Sequence, residues 1–348
     1  MTASVIDLRS DTATKPTDAM RAAIAAAEVG DEQLREDPTV NELQRRAAEL
    51  LGQEAALFLP TATMANQIAL RVHTPPGQQL IAEERTHALI YEAGGPAVHS
   101  GLVMRGLPGT AGRISVEQIA EVVHTADEGQ PAGIVVLENT HRSAGGRVWP
   151  LEELARVAAA SRDLGLAVHL DGARIFNAAV AAGIAAADYG RLADSVTVCF
   201  SKGLGCPFGA VLAGPAGFIE QAWQGKFLFG GALRQAGIVA AAALYALEHN
   251  VERLAEDHGR ARSLAEGLAA AGLAVDPAEV ETNFVGIDVR PLGIEAAEAR
   301  RRVAAESVLV GALRPGVLRA ATYLGIDDED VERAVELIPR ALGALVRV

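Results

Sequence analysis

The sequence predicts an α/β fold: a large domain over residues 1–250 on a mostly parallel sheet, then a small α+β domain over residues 251–348. Three observations carry this. Short apolar runs bounded by turn residues alternate with helix-length amphipathic stretches as far as Asn250. Strands separated by helices require βαβ crossovers, hence a parallel sheet covered on both faces. Beyond Asn250 the rhythm changes to one long amphipathic stretch, Val251–Ala271, and runs near Phe284–Val289 and Val317–Ala321, with helical stretches between and after.

Along the chain, a helix is expected over Asp37–Leu51. Asp37 suits the cap, Pro38 the first helical position and Gly52 the C′ position, while Val40, Leu43, Ala47, Leu50 and Leu51 share a face. Strands are expected at Ala55–Leu59, Gln79–Ala82, Ile134–Leu137, Leu166–Leu170, Val196–Phe200 and Ala210–Ala213, with helices such as Leu151–Leu164 between most of them.

Composition narrows the function. The formal net charge of −13 leaves no basic surplus for nucleic-acid phosphates or an anionic membrane surface. The 2 cysteines sit in no CxxC pair, so neither a disulfide framework nor a metal site is expected. No apolar run approaches the roughly 20 residues of a membrane span. The start, MTASVIDLRSD, shows no basic n-region or apolar h-region, which points to a reducing cytoplasm. Lys15, Lys202 and Lys226 are the only lysines in a chain otherwise basic through arginine. A lysine here is a scarce choice.

Ligands of open parallel sheets sit beyond the strands' carboxyl ends. There the sequence places Asp171-Gly172-Ala173-Arg174, Ser201-Lys202-Gly203-Leu204-Gly205, Pro60-Thr61-Ala62-Thr63 and Glu138-Asn139-Thr140-His141. A lysine partly desolvated or near other cations loses its proton readily and forms a Schiff base with a carbonyl. A carboxylate at a neighbouring strand end can hold a protonated heteroaromatic nitrogen. Asp171 with Lys202 therefore matches the way pyridoxal phosphate is gripped at its two ends, and Thr61 and Thr63 at a helix start suit its phosphate. The Gly203–Gly209 segment is spaced GxGxxxG and interrupted by Pro207, so it is no dinucleotide loop.

Seven stretches in order extend this reading: Asp7–Thr12; Gly30-Asp31 with Asp37-Pro38-Thr39; Glu92–Gly95; Glu138–His141; Asp171–Asn177; Ser201–Gly205; and Gly230-Gly231 with Arg234-Gln235. In them the chain resembles the low-specificity L-threonine aldolases of the beta-eliminating lyase/threonine aldolase superfamily. These are aspartate-aminotransferase-like (fold type I) pyridoxal-phosphate enzymes. The resemblance implies pyridoxal 5'-phosphate bound to Lys202, with Asp171 on the pyridine nitrogen, His87 stacked on the ring, and Ala62 and Thr63 at the phosphate. It implies a carboxylate clamp of Ser10, Arg174 and Arg319. Lys226 and Arg234 would reach a neighbouring subunit's cofactor, so a homodimer with shared sites is implied, assembled into a homotetramer.

The implied reaction is retro-aldol cleavage. The substrate amine displaces Lys202, a base takes the β-hydroxyl proton, an aldehyde leaves, and glycine forms on reprotonation. His87 or His141 is the base. The chain departs from the family in two places. Ala62 stands where glycine is usual, and Leu34-Arg35 replace a tyrosine–glycine pair on the substrate side. The choice among threonine, allo-threonine and bulkier substrates is therefore not carried over. The alternatives are a β-eliminating or other carbon–carbon lyase on the same cofactor, and a non-catalytic protein that keeps the fold.

Overall fold

The computed structural model describes residues 5–126 and 129–343. Residues 1–4, within the stretch read for a leader, and residues 344–348 of the expected small domain lie outside it. The main sheet has seven strands: β2 (Ala55–Leu59), β3 (Gln79–Glu83), β4 (Val103–Leu107), β5 (Ala132–Glu138), β6 (Ala167–Asp171), β7 (Ser195–Cys199) and β8 (Ala210–Gly214), in the order β2-β8-β7-β6-β5-β3-β4. Only β8 runs antiparallel to its neighbours. Its central strands are buried along their length, as a sheet covered on both faces demands.

A four-stranded sheet forms the second unit: β9 (Phe284–Asp288), β10 (Val308–Arg314) and β11 (Val317–Ala321), with β1 (Ile6–Leu8) added parallel to β10. The N-terminal strand thus belongs to the sheet of the C-terminal part, with Ile6 opposite Val308 and Leu8 opposite Val310. This sheet, with helices Leu254–Ala270 and Asp328–Leu342, encloses its own apolar core, distinct from the cluster around the main sheet.

Three strands escape the sequence reading. β4 lies at the sheet edge with four of five residues exposed, so it carries no apolar signature. β1 is only three residues long and becomes a strand through its partner. β10 bends where its pairing shifts between Ala312 and Arg314. The helix expected after Asp37 runs Pro38–Leu51, its Asp37 side chain accepting from Val40 N at 3.0 Å, and Gly52 closes it at φ +63°.

Candidate active site

Chain direction in the parallel sheet brings several strand ends to one edge. Glu83 ends β3, Glu138 ends β5, Asp171 ends β6, and Lys202 follows β7 by three residues. The helix Ala62–His73 crosses beneath this edge and presents Asn66 and Gln67, both buried.

Asp171 is buried, with Oδ1 accepting from Ala173 N at 3.1 Å and Oδ2 from Asn66 Nδ2 at 2.9 Å. Burial favours the protonated acid, but the charges of His87 and Lys202 and the Asn66 bond outweigh it, and its pKa falls below the ordinary value. Asn66 Nδ2 also donates to Glu92 Oε1 at 2.8 Å, and Gln67 Nε2 to Glu92 Oε2 at 2.5 Å. His87 Nδ1 lies 2.9 Å from Glu92 Oε1. A carboxylate only accepts, so Nδ1 carries the hydrogen and the neutral ring keeps its lone pair on Nε2. Burial lowers the His87 pKa, yet the Glu92 bond and the Asp171 and Glu92 charges win and hold it above the usual histidine value.

Behind Asp171 the order of donors is fixed. Asn66 spends its amide hydrogens on two carboxylates, so its Oδ1 must accept from His169 Nε2, 3.1 Å away. His169 Nδ1 then accepts from Ser195 Oγ at 2.7 Å, and Ser195 Oγ in turn accepts from His73 Nε2 at 2.8 Å. Burial, the largest cause for each, pushes His169 down to about 3 and His73 to about 4, so both rings stay neutral. Sequence reading assigned none of Asn66, Gln67, His169, Ser195 and His73. The available signal was polar residues inside apolar strand and helix patterns, which need partners when buried.

The substrate side is differently made. Arg174 gives Nε and Nη2 to Asp11 at 2.7 Å each. The Arg174 charge outweighs burial, the largest influence on Asp11, and holds Asp11 at about 2. Much of the Arg174 fork is therefore committed within the chain. Arg319 gives Nε and Nη2 to Arg9 O at 3.2 and 2.8 Å, while its Nη1 is buried without an acceptor among the described residues. Burial first, then the Arg142 and Arg174 charges, lower Arg319 to about 10. Ser10 Oγ accepts from Thr12 N at 3.3 Å and from Thr12 Oγ1 at 2.9 Å.

The remaining expected residues divide. Lys202 Nζ has no hydrogen bond or ion pair among the described residues, and its charge acts on Asp171, His87 and Asp11. Thr61 caps its helix through Met64 N at 3.1 Å, leaving the Ala62 and Thr63 N–H groups facing outward without an acceptor among the described residues. Ala62 is the first helical residue and needs no positive φ, so its methyl is accommodated. His141 is buried, with Nε2 3.0 Å from Glu83 and Nδ1 accepting from Ala144 N at 3.2 Å. It borders a cavity of about 440 Å³ shared with Glu83, Gly112, Arg113 and Arg314.

Lys226 does not reach outward: its ammonium is buried, paired with Glu32 and set over the Trp223 and Phe58 rings at 5.5 and 5.6 Å. An internal ion pair at this depth holds it away from any neighbouring chain. Arg234 is 62% exposed at its side chain and bonds Asp31 at 2.9 Å. Leu34 is exposed, and Arg35, at φ +59°, bonds Glu220 and stacks on Trp223 at 4.8 Å.

Pyridoxal phosphate fits these residues: an ionised buried carboxylate, an unpartnered lysine at the next strand end, and open N–H groups at a helix start. The family profile described as Beta-eliminating lyase matches residues 7–291. The low-specificity L-threonine aldolase of Escherichia coli K12 is 41% identical over 330 residues, covering 94% of this chain and 96% of that one. The corresponding Saccharomyces cerevisiae protein is 37% identical over 290 residues, 82% of this chain and 74% of that one. The Leishmania major threonine aldolase superposes with a TM-score of 0.83 at 20% identity, covering 97% of this chain and 99% of that one, which shows the shared fold. From profile, identity and fold together, the chain belongs to the beta-eliminating lyase family, among its low-specificity L-threonine aldolases, and is a pyridoxal-phosphate-dependent lyase.

Proposed function

We propose that the chain cleaves L-threonine, L-allo-threonine or related L-β-hydroxy-α-amino acids to glycine and an aldehyde. One observation carries this most: the ionised Asp171 and the unpartnered Lys202 stand at adjacent strand ends, in each other's field. When bound, pyridoxal phosphate supplies an electrophilic carbonyl and a ring that accepts the electron pair of the broken bond. Asp171 holds a proton on the ring nitrogen, and Lys202 provides the amine. The Ala62 and Thr63 N–H groups take the phosphate. Arg319 Nη1, with Ser10 and the remaining edge of Arg174, takes the substrate α-carboxylate. His87 Nε2 accepts the β-hydroxyl proton. His141 is the less available base, since Glu83 and Ala144 engage its two nitrogens.

Two further readings rest on the same chain. We place it in the cytoplasm, in keeping with two buried, unpaired cysteines, Cys199 and Cys206. No helix among the described residues is long and apolar enough to cross a membrane. We also propose a homodimer with shared sites, paired into a tetramer, and a working division into residues 1–250 and 251–348. Exposed Leu34, Val98, Phe227, Leu228 and Ile238 supply apolar surface for such contacts, and Arg234, exposed though paired with Asp31, lies at the surface. A solution mass of one chain would contradict the dimer.

The test of function offers purified protein threonine, allo-threonine, phenylserine and serine. Glycine plus aldehyde supports the reading; keto acid without glycine overturns it in favour of β-elimination. The protein should be yellow, and Lys202→Ala should remove the absorbance band.

A further inference from the structure

The substrate side holds one more unanswered donor than an α-carboxylate clamp requires. Besides Arg319, Arg142 keeps a buried Nη1 with no acceptor. Neither guanidinium is ion-paired among the described residues. Each lies over an aromatic ring, Arg142 over Tyr91 at 4.2 Å and Arg319 over Phe284 at 4.8 Å. The ring contact restrains each side chain before any ligand arrives, so less freedom is lost on binding. The Arg142 charge acts on Arg319, so the two guanidiniums lie within each other's field.

Glu138 ties the backbone of Arg142 to that of His87. Its Oε2 accepts from His87 N and its Oε1 from Arg142 N, both at 2.7 Å, so the two backbones meet on one carboxylate. The His87 and Tyr91 rings lie 5.5 Å apart, so Tyr91 neighbours both His87 and the Arg142 guanidinium. If His87 takes the β-hydroxyl proton, as proposed above, the β-substituent is delivered beside Tyr91, the ring that Arg142 covers. The α-carboxylate answers Arg319, and Asp11 already answers Arg174. Nothing among the described residues, and nothing in threonine, answers Arg142 Nη1.

We propose that Arg142 reads the β-substituent and that the pocket selects β-hydroxy-α-amino acids whose side chain carries an anion, a carboxylate on the hydroxyl-bearing carbon being the smallest case. The proposal rests on the aldol-cleavage reading. For 3-hydroxyaspartate the Cα–Cβ bond breaks and its electron pair stays with Cα, which takes a proton to give glycine. The hydroxyl loses its proton as the Cβ–O bond becomes a carbonyl, giving glyoxylate. Atoms and charge balance with no further reactant.

Calorimetry on the full chain with succinate and butyrate isolates the second carboxylate, because both have four carbons. Succinate is expected to bind about 30-fold more tightly, the scale of one buried charge-assisted contact, and Arg142→Met to abolish the difference. Arg142→Lys, which keeps the charge without the fork, should recover only part of it. On the holoenzyme, the ratio of kcat/KM for 3-hydroxyaspartate over threonine should fall about 30-fold in Arg142→Met. Equal binding of succinate and butyrate by the wild type overturns the proposal, as does an Arg142→Met loss shared equally by both ligands. A wild type that prefers succinate yet cleaves no β-hydroxy amino acid sinks the aldolase reading and leaves the anion site standing. Threonine cleavage without a dicarboxylate preference sinks this proposal alone.

Discussion

The two ends of the site are built on opposite principles. Behind Asp171 a line of buried polar groups is paired: Asn66 bridges two carboxylates, and His169, Ser195 and His73 follow with donors and acceptors determined in turn. Around Arg319 and Arg142, two buried N–H groups have no acceptor. A resident cofactor is best met by a surface already organised to hold one charge state, because reorganisation at the moment of reaction costs rate. A substrate that comes and goes must bring the missing partners itself, so those donors are left open. The open end is less stable for it, and that is where affinity originates.

The largest effect should come from breaking the paired end. Asp171→Asn removes the charge that would keep the ring nitrogen protonated in the proposed site, and kcat should fall on the order of 10²–10³-fold. Cofactor content, read from the absorbance band, should fall less. Equal losses of cofactor and rate would mean that Asp171 only anchors.

At the open end, Arg319→Leu should raise KM about 10- to 100-fold for every α-amino acid offered, with kcat less affected. The same change removes a desolvated charge without a carboxylate partner, so the unliganded protein should melt higher, by about 2–4 °C for each kcal/mol relieved. A variant that binds worse and melts lower would contradict the contrast between the two ends. Asn66→Ala tests the paired end from behind. It leaves Asp171, Glu92 and His169 each short of a partner in a buried place, and should cost about 2–4 kcal/mol in denaturant unfolding.

How far the sequence discloses this architecture follows from where each signal resides. Asp171 and Lys202 are legible because each stands just past a mostly apolar run, and the parallel-sheet rule says where such residues meet. Asn66, His169 and Ser195 are not, because their partners lie 26 to 122 residues away and only the folded sheet brings them together. β1 is illegible for the same reason, its three residues gaining strand identity from β10 about 300 positions later. Lys226 shows the opposite error. Its scarcity as a lysine suggested chemistry, whereas the structure buries it against Glu32 as an internal tie. Scarcity identifies a residue chosen for its chemistry without saying whether that chemistry is covalent or merely ionic.

The finest test joins the two ends through His87, which answers to Glu92 on the paired side and faces the substrate through Nε2. If the neutral ring takes the β-hydroxyl proton, kcat/KM must fall as pH drops through the His87 pKa, which lies above the usual value because the Glu92 bond and nearby carboxylates outweigh burial. Glu92→Gln removes the charge that holds the imidazolium, so the acid limb should move to lower pH. Stability runs the other way. A pKa raised in the folded state means that the protonated ring stabilises the fold. That contribution is full below the unfolded histidine value of about 6.5 and is lost as pH rises through the folded pKa. In the wild type, activity should therefore rise over the same window in which this part of the stability is given up. Glu92→Gln should shift both together. A pH–rate profile beside a pH–melting profile, for each protein, reads both. An acid limb that stays in place in Glu92→Gln would assign the proton to another group, with His141 beside Glu83 the next to examine.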